Sequence, residues 1–236
     1  MIKFKDFETT LKYNDKLNLK FWKSDNLKNS VRIALLNIAK KWAVFSNIPL
    51  SSIKDIILVG GNANYNYTQY SDLDVHIIVD KEKIFNCPDL LDDYLKDKKQ
   101  LWSLTHDITI YGHDVELYAQ DMKEVSPKNQ GSFSLKHNKW INKPIKQKID
   151  YNNILIKKKV KSFIDKIDYL IDTQSDNEHS LNKIKKKIRE MRTSSIKKGG
   201  EYALENLVFK ELRNLGYLNK LNKYINKIHD QSLSLR

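Results

Sequence analysis

Residues 25–45 carry Val31, Ala34, Leu35, Ile38, Trp42 and Ala43 at helical spacing, so a helix is predicted there, with Asp25 or Ser30 as its cap. Pro49 and the serines at 51 and 52 end that pattern. A short apolar run over 54–59 then predicts a strand running into Gly60-Gly61. Over 73–79 the pattern alternates strictly. Leu73, Val75, Ile77 and Val79 fall on one face of a second strand, with Asp74 and His76 on the other. Pro88 suits the first turn of a helix over 88–101, where its missing N–H costs nothing. Residues 106–111 and 114–119 alternate around Gly112-His113 and read as a β-hairpin. The stretch 123–150, rich in Lys, Asn, Gln and Ser, reads as loop.

Beyond 151 the period changes to that of helices, predicted over 153–173, 178–197, 201–215 and 217–229. Ser175 or Asp176 is the expected cap of the second, and Gly199-Gly200 separates the second from the third. The expected fold class is therefore α+β. A mixed sheet with flanking helices occupies 1–150, and a basic all-helical unit occupies 151–236.

Charge sharpens this picture. Lys and Arg number 42 against 29 Asp and Glu in 236 residues, a formal net charge of +13. Residues 150–236 hold 19 basic and 11 acidic side chains (net +8), and residues 1–149 hold 23 and 18 (net +5). An excess of this kind favours polyanionic partners such as nucleotides or RNA, since phosphate attraction needs little beyond clustered cations. Lys183-x-Lys185-Lys186-Lys187-x-Arg189-x-x-Arg192 places Lys185, Arg189 and Arg192 on one helical face. That face suits acceptor nucleic acid or a triphosphate, with a merely solvated face as the plain alternative. Glu201 and Glu205 are potential ion-pair partners for it. The single cysteine, Cys87, excludes an internal disulfide and a Cys-rich zinc site, and fits a reducing compartment. No apolar run approaches the roughly 20 residues of a membrane span. The start of the chain has no signal-peptide core, so a cytoplasmic protein is expected.

The chemistry concentrates in one stretch. Val59 leads into Gly60-Gly61; ten residues later Asp72-Leu73-Asp74 opens the next strand; and Val115-Glu116-Leu117 sets a third carboxylate in an apolar strand. Glycines after a strand allow close backbone approach to a phosphate. Asp72 and Asp74, two apart, project from the same face, and a third carboxylate completes an all-oxygen site suited to Mg²⁺. Asp114, two residues before Glu116, is the reserve third carboxylate. Tyr65, Tyr67 and Tyr70 in the intervening loop, with Trp102 and Trp140, are candidates for stacking on bases. His76 shares the face of Asp72 and Asp74 and could touch substrate, with a merely exposed side chain as the plain alternative, and His106 and His113 are expected to serve structure.

This pattern resembles the nucleotidyltransferase superfamily named for DNA polymerase beta, over roughly residues 54–119. The segment Glu201–Lys210 is similar to the tails of small phage-encoded nucleotidyltransferase-like proteins. The resemblance implies that Asp72 and Asp74 bind two Mg²⁺ ions, that Glu116 serves the ion at the acceptor, and that Gly60 and Gly61 form the phosphate loop. Two departures stand out: Gly-Gly replaces the commoner Gly-Ser, leaving Ser71 or Thr68 to supply a phosphate contact, and Glu116 replaces the commoner Asp. The implied function is transfer of a nucleoside monophosphate from an NTP to an acceptor hydroxyl. An RNA 3′ end is the favoured acceptor, and a protein, nucleotide or small molecule remains open. The alternative is an inactive domain of this type that binds RNA or a protein.

Overall fold

The structure is a computed structural model that describes residues 8–84, 87–124, 130–146, 150, 153–173 and 178–235. The chain divides into two compact units, Tyr13–Gln147 and a second built from Met1–Lys12 with Lys148–Arg236. The division differs from a single cut at 150 in that the first dozen residues join the helical unit.

In the first unit, β1 (Trp22–Lys23) and β2 (Asn26–Leu27) make a small antiparallel hairpin ahead of helix α1 (Asn29–Phe45). Trp22 and Leu27 face each other across it, and both are buried. The hairpin delays the start predicted for the helix. Asp25 sits in the turn, Ser30 lies inside the helix, and Lys28 occupies the cap position without a side-chain bond. The six-stranded sheet runs β5-β6-β4-β3-β7-β8. Its strands are β3 (Ile53–Val59), β4 (Leu73–Val79), β5 (Thr109–Ile110), β6 (His113–Asp121), β7 (Ser132–Ser134) and β8 (Lys139–Asn142). Only β4 and β6 are parallel; α2 (Pro88–Thr105) lies between them in sequence, as a parallel crossover requires.

The alternation of β4 decides the layers. Leu73, Val75, Ile77 and Val79 are fully buried in one core with Val31, Leu35, Ala39 and Trp42 of α1 and Leu91, Leu95 and Trp102 of α2. The helix α2 extends past its predicted end, and its last turn brings Trp102 to that core. The segment 123–150 is not simply loop. β7 pairs with β3, and β8 with β7. These strands, of three and four residues, are too short for alternation to register. What holds them is aromatic packing. Trp140 stacks on Trp22 at 4.7 Å, and Phe133 meets both rings edge-on at 5.2 Å.

The second unit holds α3 (Ile154–Asp172), α4 (Glu178–Gly199), α5 (Leu204–Asn214) and α6 (Tyr217–Leu233). Asn153 caps α3 by accepting the amide of Leu155 at 2.8 Å. The predicted caps Ser175 and Asp176 lie outside the described residues. The third helix begins at Leu204 rather than 201, because Gly200 takes φ +71° and breaks the chain's direction after α4. Val160, Ile167, Leu181, Leu207, Val208 and Leu212 are buried, while Leu204 and Leu215 are half-exposed. The Thr10 amide and hydroxyl both donate to Glu211, at 2.9 Å each, which ties the first residues to α5. Burial raises the Glu211 carboxyl above its ordinary value, and these two bonds oppose that rise. Among the described residues no helix is long and apolar enough to cross a membrane.

Candidate active site

The face of the sheet opposite the α1–α2 core is where the singled-out residues meet. In the parallel β4–β6 pair, Asp74 stands opposite Glu116, and His76 opposite Tyr118. In the β3–β4 pair, Val59 stands opposite Asp74. One row across three strands therefore reads Val59, Asp74, Glu116. Asp72 lies two residues before Asp74. Glu116 is thus the strand neighbour of Asp74, whereas Asp114 pairs with Thr109 of β5.

The turn after β3 is shaped around Asp74. Gly60 has φ +75°, and a Cβ built there would lie 1.7 Å from Asp74 Oδ2. Only glycine leaves room for that carboxylate. At Gly61 the φ is ordinary, and a Cβ would come 3.0 Å from Ser71 Oγ. We expect Gly60→Ala to be the costlier change. It combines a left-handed backbone strain of about 1–3 kcal/mol with displacement of the Asp74 carboxylate. Chemical denaturation and NTP turnover, measured beside Gly61→Ala, check that ranking; equal effects of the two would contradict it.

Asparagines hold this turn, and the sequence reading missed them. Asn62 donates from Nδ2 to the carbonyls of Ser71 (3.0 Å) and Asp72 (2.9 Å), and accepts from Asn18 at 2.9 Å. Trp22 Nε1 donates to the Asn62 carbonyl at 2.7 Å. Asn64 bonds the Gly60 carbonyl at 2.7 Å and accepts the Gly131 amide at 2.8 Å. The glycine turn and the start of β4 are thus clamped by neutral amides, which carry no distinctive pattern in the sequence.

Ser71 is buried, and its hydroxyl accepts the Thr68 amide at 2.9 Å. Its first task is therefore inside the loop. His113 is buried, with Nδ1 2.7 Å from the Ser71 carbonyl, and His106 stacks on Trp102 at 3.8 Å. His76 lies 2.8 Å from Gln120 Oε1, and burial pushes its imidazole below the ordinary value. Among the aromatics proposed for stacking, Trp102 is buried and Trp140 is packed against Trp22. Tyr65 is half-buried near Tyr13, Tyr67 is half-buried, and Tyr70 is exposed.

Asp72, Asp107, Asp114 and Glu116 line one cavity of about 440 Å³. Lys99 of α2 donates to Glu116 at 3.1 Å. Carboxylate oxygens are ligands of the kind a hard divalent cation takes, and an ammonium already rests against Glu116. Among the described residues no three His, Cys, Asp or Glu side chains are gathered closely enough to hold one ion.

Lys185, Arg189 and Arg192 do share one face of α4 and line a single cavity in the helical unit. Glu201 pairs with Lys210 and Glu205 with Lys159, each at 2.6 Å.

No family model matches the sequence, and no curated protein matches it. A solved structure, the STING-associated CdnE c-di-GMP synthase from Capnocytophaga granulosa, is similar over 89% of this chain and 84% of the other, at 14% identity and a TM-score of 0.21. At that score the likeness adds nothing to what the geometry of the chain says by itself.

Proposed function

We propose that the protein is a nucleotidyltransferase. It moves a nucleoside monophosphate from a nucleoside triphosphate to an acceptor hydroxyl and releases pyrophosphate. One observation carries this reading: the strand register sets Asp74 beside Glu116, with Asp72 two residues before and a glycine turn that leaves room only for the Asp74 carboxylate. Asp72 and Asp74 would hold two Mg²⁺ ions, with Glu116 joining them on the acceptor side. Bound there, the ions supply positive charge against the triphosphate and the developing charge of the reaction.

The chain's own residues do the rest. Gly60 and Gly61 let the triphosphate come close to the backbone. Ser71 holds the loop that carries Asp72. Glu116 would face the acceptor, and the hydroxyl proton would pass to its carboxylate or to solvent. The acceptor oxygen then bonds to the α-phosphorus while the bond from that phosphorus to the bridging oxygen breaks. The electron pair leaves with pyrophosphate. Positioning and charge neutralisation provide most of the acceleration. Tyr70, whose ring is exposed, would stack on a base.

The net charge of +13 favours an RNA 3′ end as acceptor. The test is incubation of the protein with each of four α-labelled NTPs, Mg²⁺, and total cellular RNA and protein. Label in RNA is the expected result. Label in protein or in a small product would keep the transfer chemistry and replace the acceptor. No label transfer with any NTP would overturn the proposal.

A further inference from the structure

The cavity in the helical unit has a composition unlike that of the carboxylate site. It measures about 470 Å³, within the range of small-molecule pockets, and lies among α4, α5 and α6. Lys185, Arg189, Arg192 and Lys197 line it, and among the described residues no Asp or Glu does. Among the described residues, none of Lys185, Arg189 and Lys197 has a carboxylate within ion-pair distance. The lining between the cations is apolar. Ile188 and Leu221 are buried, and the Arg192 guanidinium lies 4.3 Å from the Phe209 ring centroid.

We infer that this cavity binds a nucleoside phosphate without a divalent cation. Cations on one rim meet phosphate oxygens, and guanidinium groups do so in a fork that matches the anion's geometry. The Arg192–Phe209 pair and the aliphatic side chains give a flat base a surface to lie on. No carboxylate is present to hold a metal, and none is required, because the side chains themselves neutralise the phosphate. This separates the cavity chemically from the Asp72–Asp74–Glu116 site, whose negative charge repels a triphosphate until a metal is bound. The cavity's size suits one nucleotide unit rather than a run of nucleic acid. The inference does not rest on the transfer reaction.

The probe is a ribose-labelled fluorescent ATP, titrated with the full chain in excess EDTA. The wild type is expected to bind it, and unlabelled ATP to displace it. Asp74→Asn is expected to bind equally well. Lys185→Ala/Arg189→Ala is expected to lose at least about tenfold in affinity, the scale of lost hydrogen bonds to charged groups. Arg189→Glu, at an exposed position where folding is not at issue, should show the same loss. Four results would each overturn the inference: no binding in EDTA, wild-type affinity in both cavity variants, loss of binding in Asp74→Asn, or a probe that short single-stranded RNA displaces but ATP does not. The last would mean that the cavity takes nucleic acid.

Discussion

Asp74→Asn is expected to lower NTP turnover by at least about a thousandfold while leaving the melting temperature unchanged. The substitution keeps the shape of the side chain and removes the charge that would oppose Mg²⁺. Charge stabilisation by a catalytic metal amounts to several kcal/mol, and each 1.36 kcal/mol is about a factor of ten in rate. Asp74 sits at the start of β4, only half-buried, while the strand's stability comes from Leu73, Val75, Ile77 and Val79 on its other face. Loss of activity without loss of fold follows from that separation. Asp72→Asn should behave alike, since both carboxylates belong to the same ion pair site. Wild-type turnover in either variant would remove that residue from the mechanism. Circular dichroism and steady-state turnover on the same preparations are sufficient.

Glu116→Gln is the second large effect, a loss of at least about a hundredfold, the scale of lost general-base or metal assistance. Asp114→Asn should cost far less. The β4–β6 register supports this ranking by pairing Glu116, not Asp114, with Asp74. Glu116 is also the carboxylate held by Lys99 at 3.1 Å. Lys99→Ala therefore serves as a companion variant: it frees Glu116 and should lower the Mg²⁺ concentration needed for half-maximal rate. The reverse ranking of Glu116 and Asp114 in a side-by-side assay would transfer the role to Asp114.

The common face of Asp72 and Asp74 was legible because β-strands write their faces into the sequence with period two. Asp72 and Asp74 declare a common face wherever 73–79 is extended, and the apolar partners Leu73 to Val79 settle that it is. The pairing of Asp74 with Glu116 was not legible, because register between strands separated by a helix depends on packing rather than on local pattern. β7 and β8 escaped notice for a related reason. Three or four residues carry no measurable period, and their partners are tryptophans far away in sequence, Trp22 above all. The asparagine clamp of Asn18, Asn62 and Asn64 was invisible because an asparagine in a turn looks the same whether it bonds solvent or holds a catalytic loop. In the helical unit, spacing correctly put Lys185, Arg189 and Arg192 on one face, but only the packing of α5 and α6 made that face concave.

The central claim is that Asp72, Asp74 and Glu116 use divalent metal to cleave the α–β bond of a nucleoside triphosphate. Pyrophosphate release from each of the four NTPs, followed as Mg²⁺ is titrated in and then removed with chelator, tests it most directly. The account predicts release that rises with Mg²⁺, stops with chelator, and is absent from Asp74→Asn at every Mg²⁺ concentration. Release that persists in chelator, or that proceeds equally in Asp74→Asn, would contradict it.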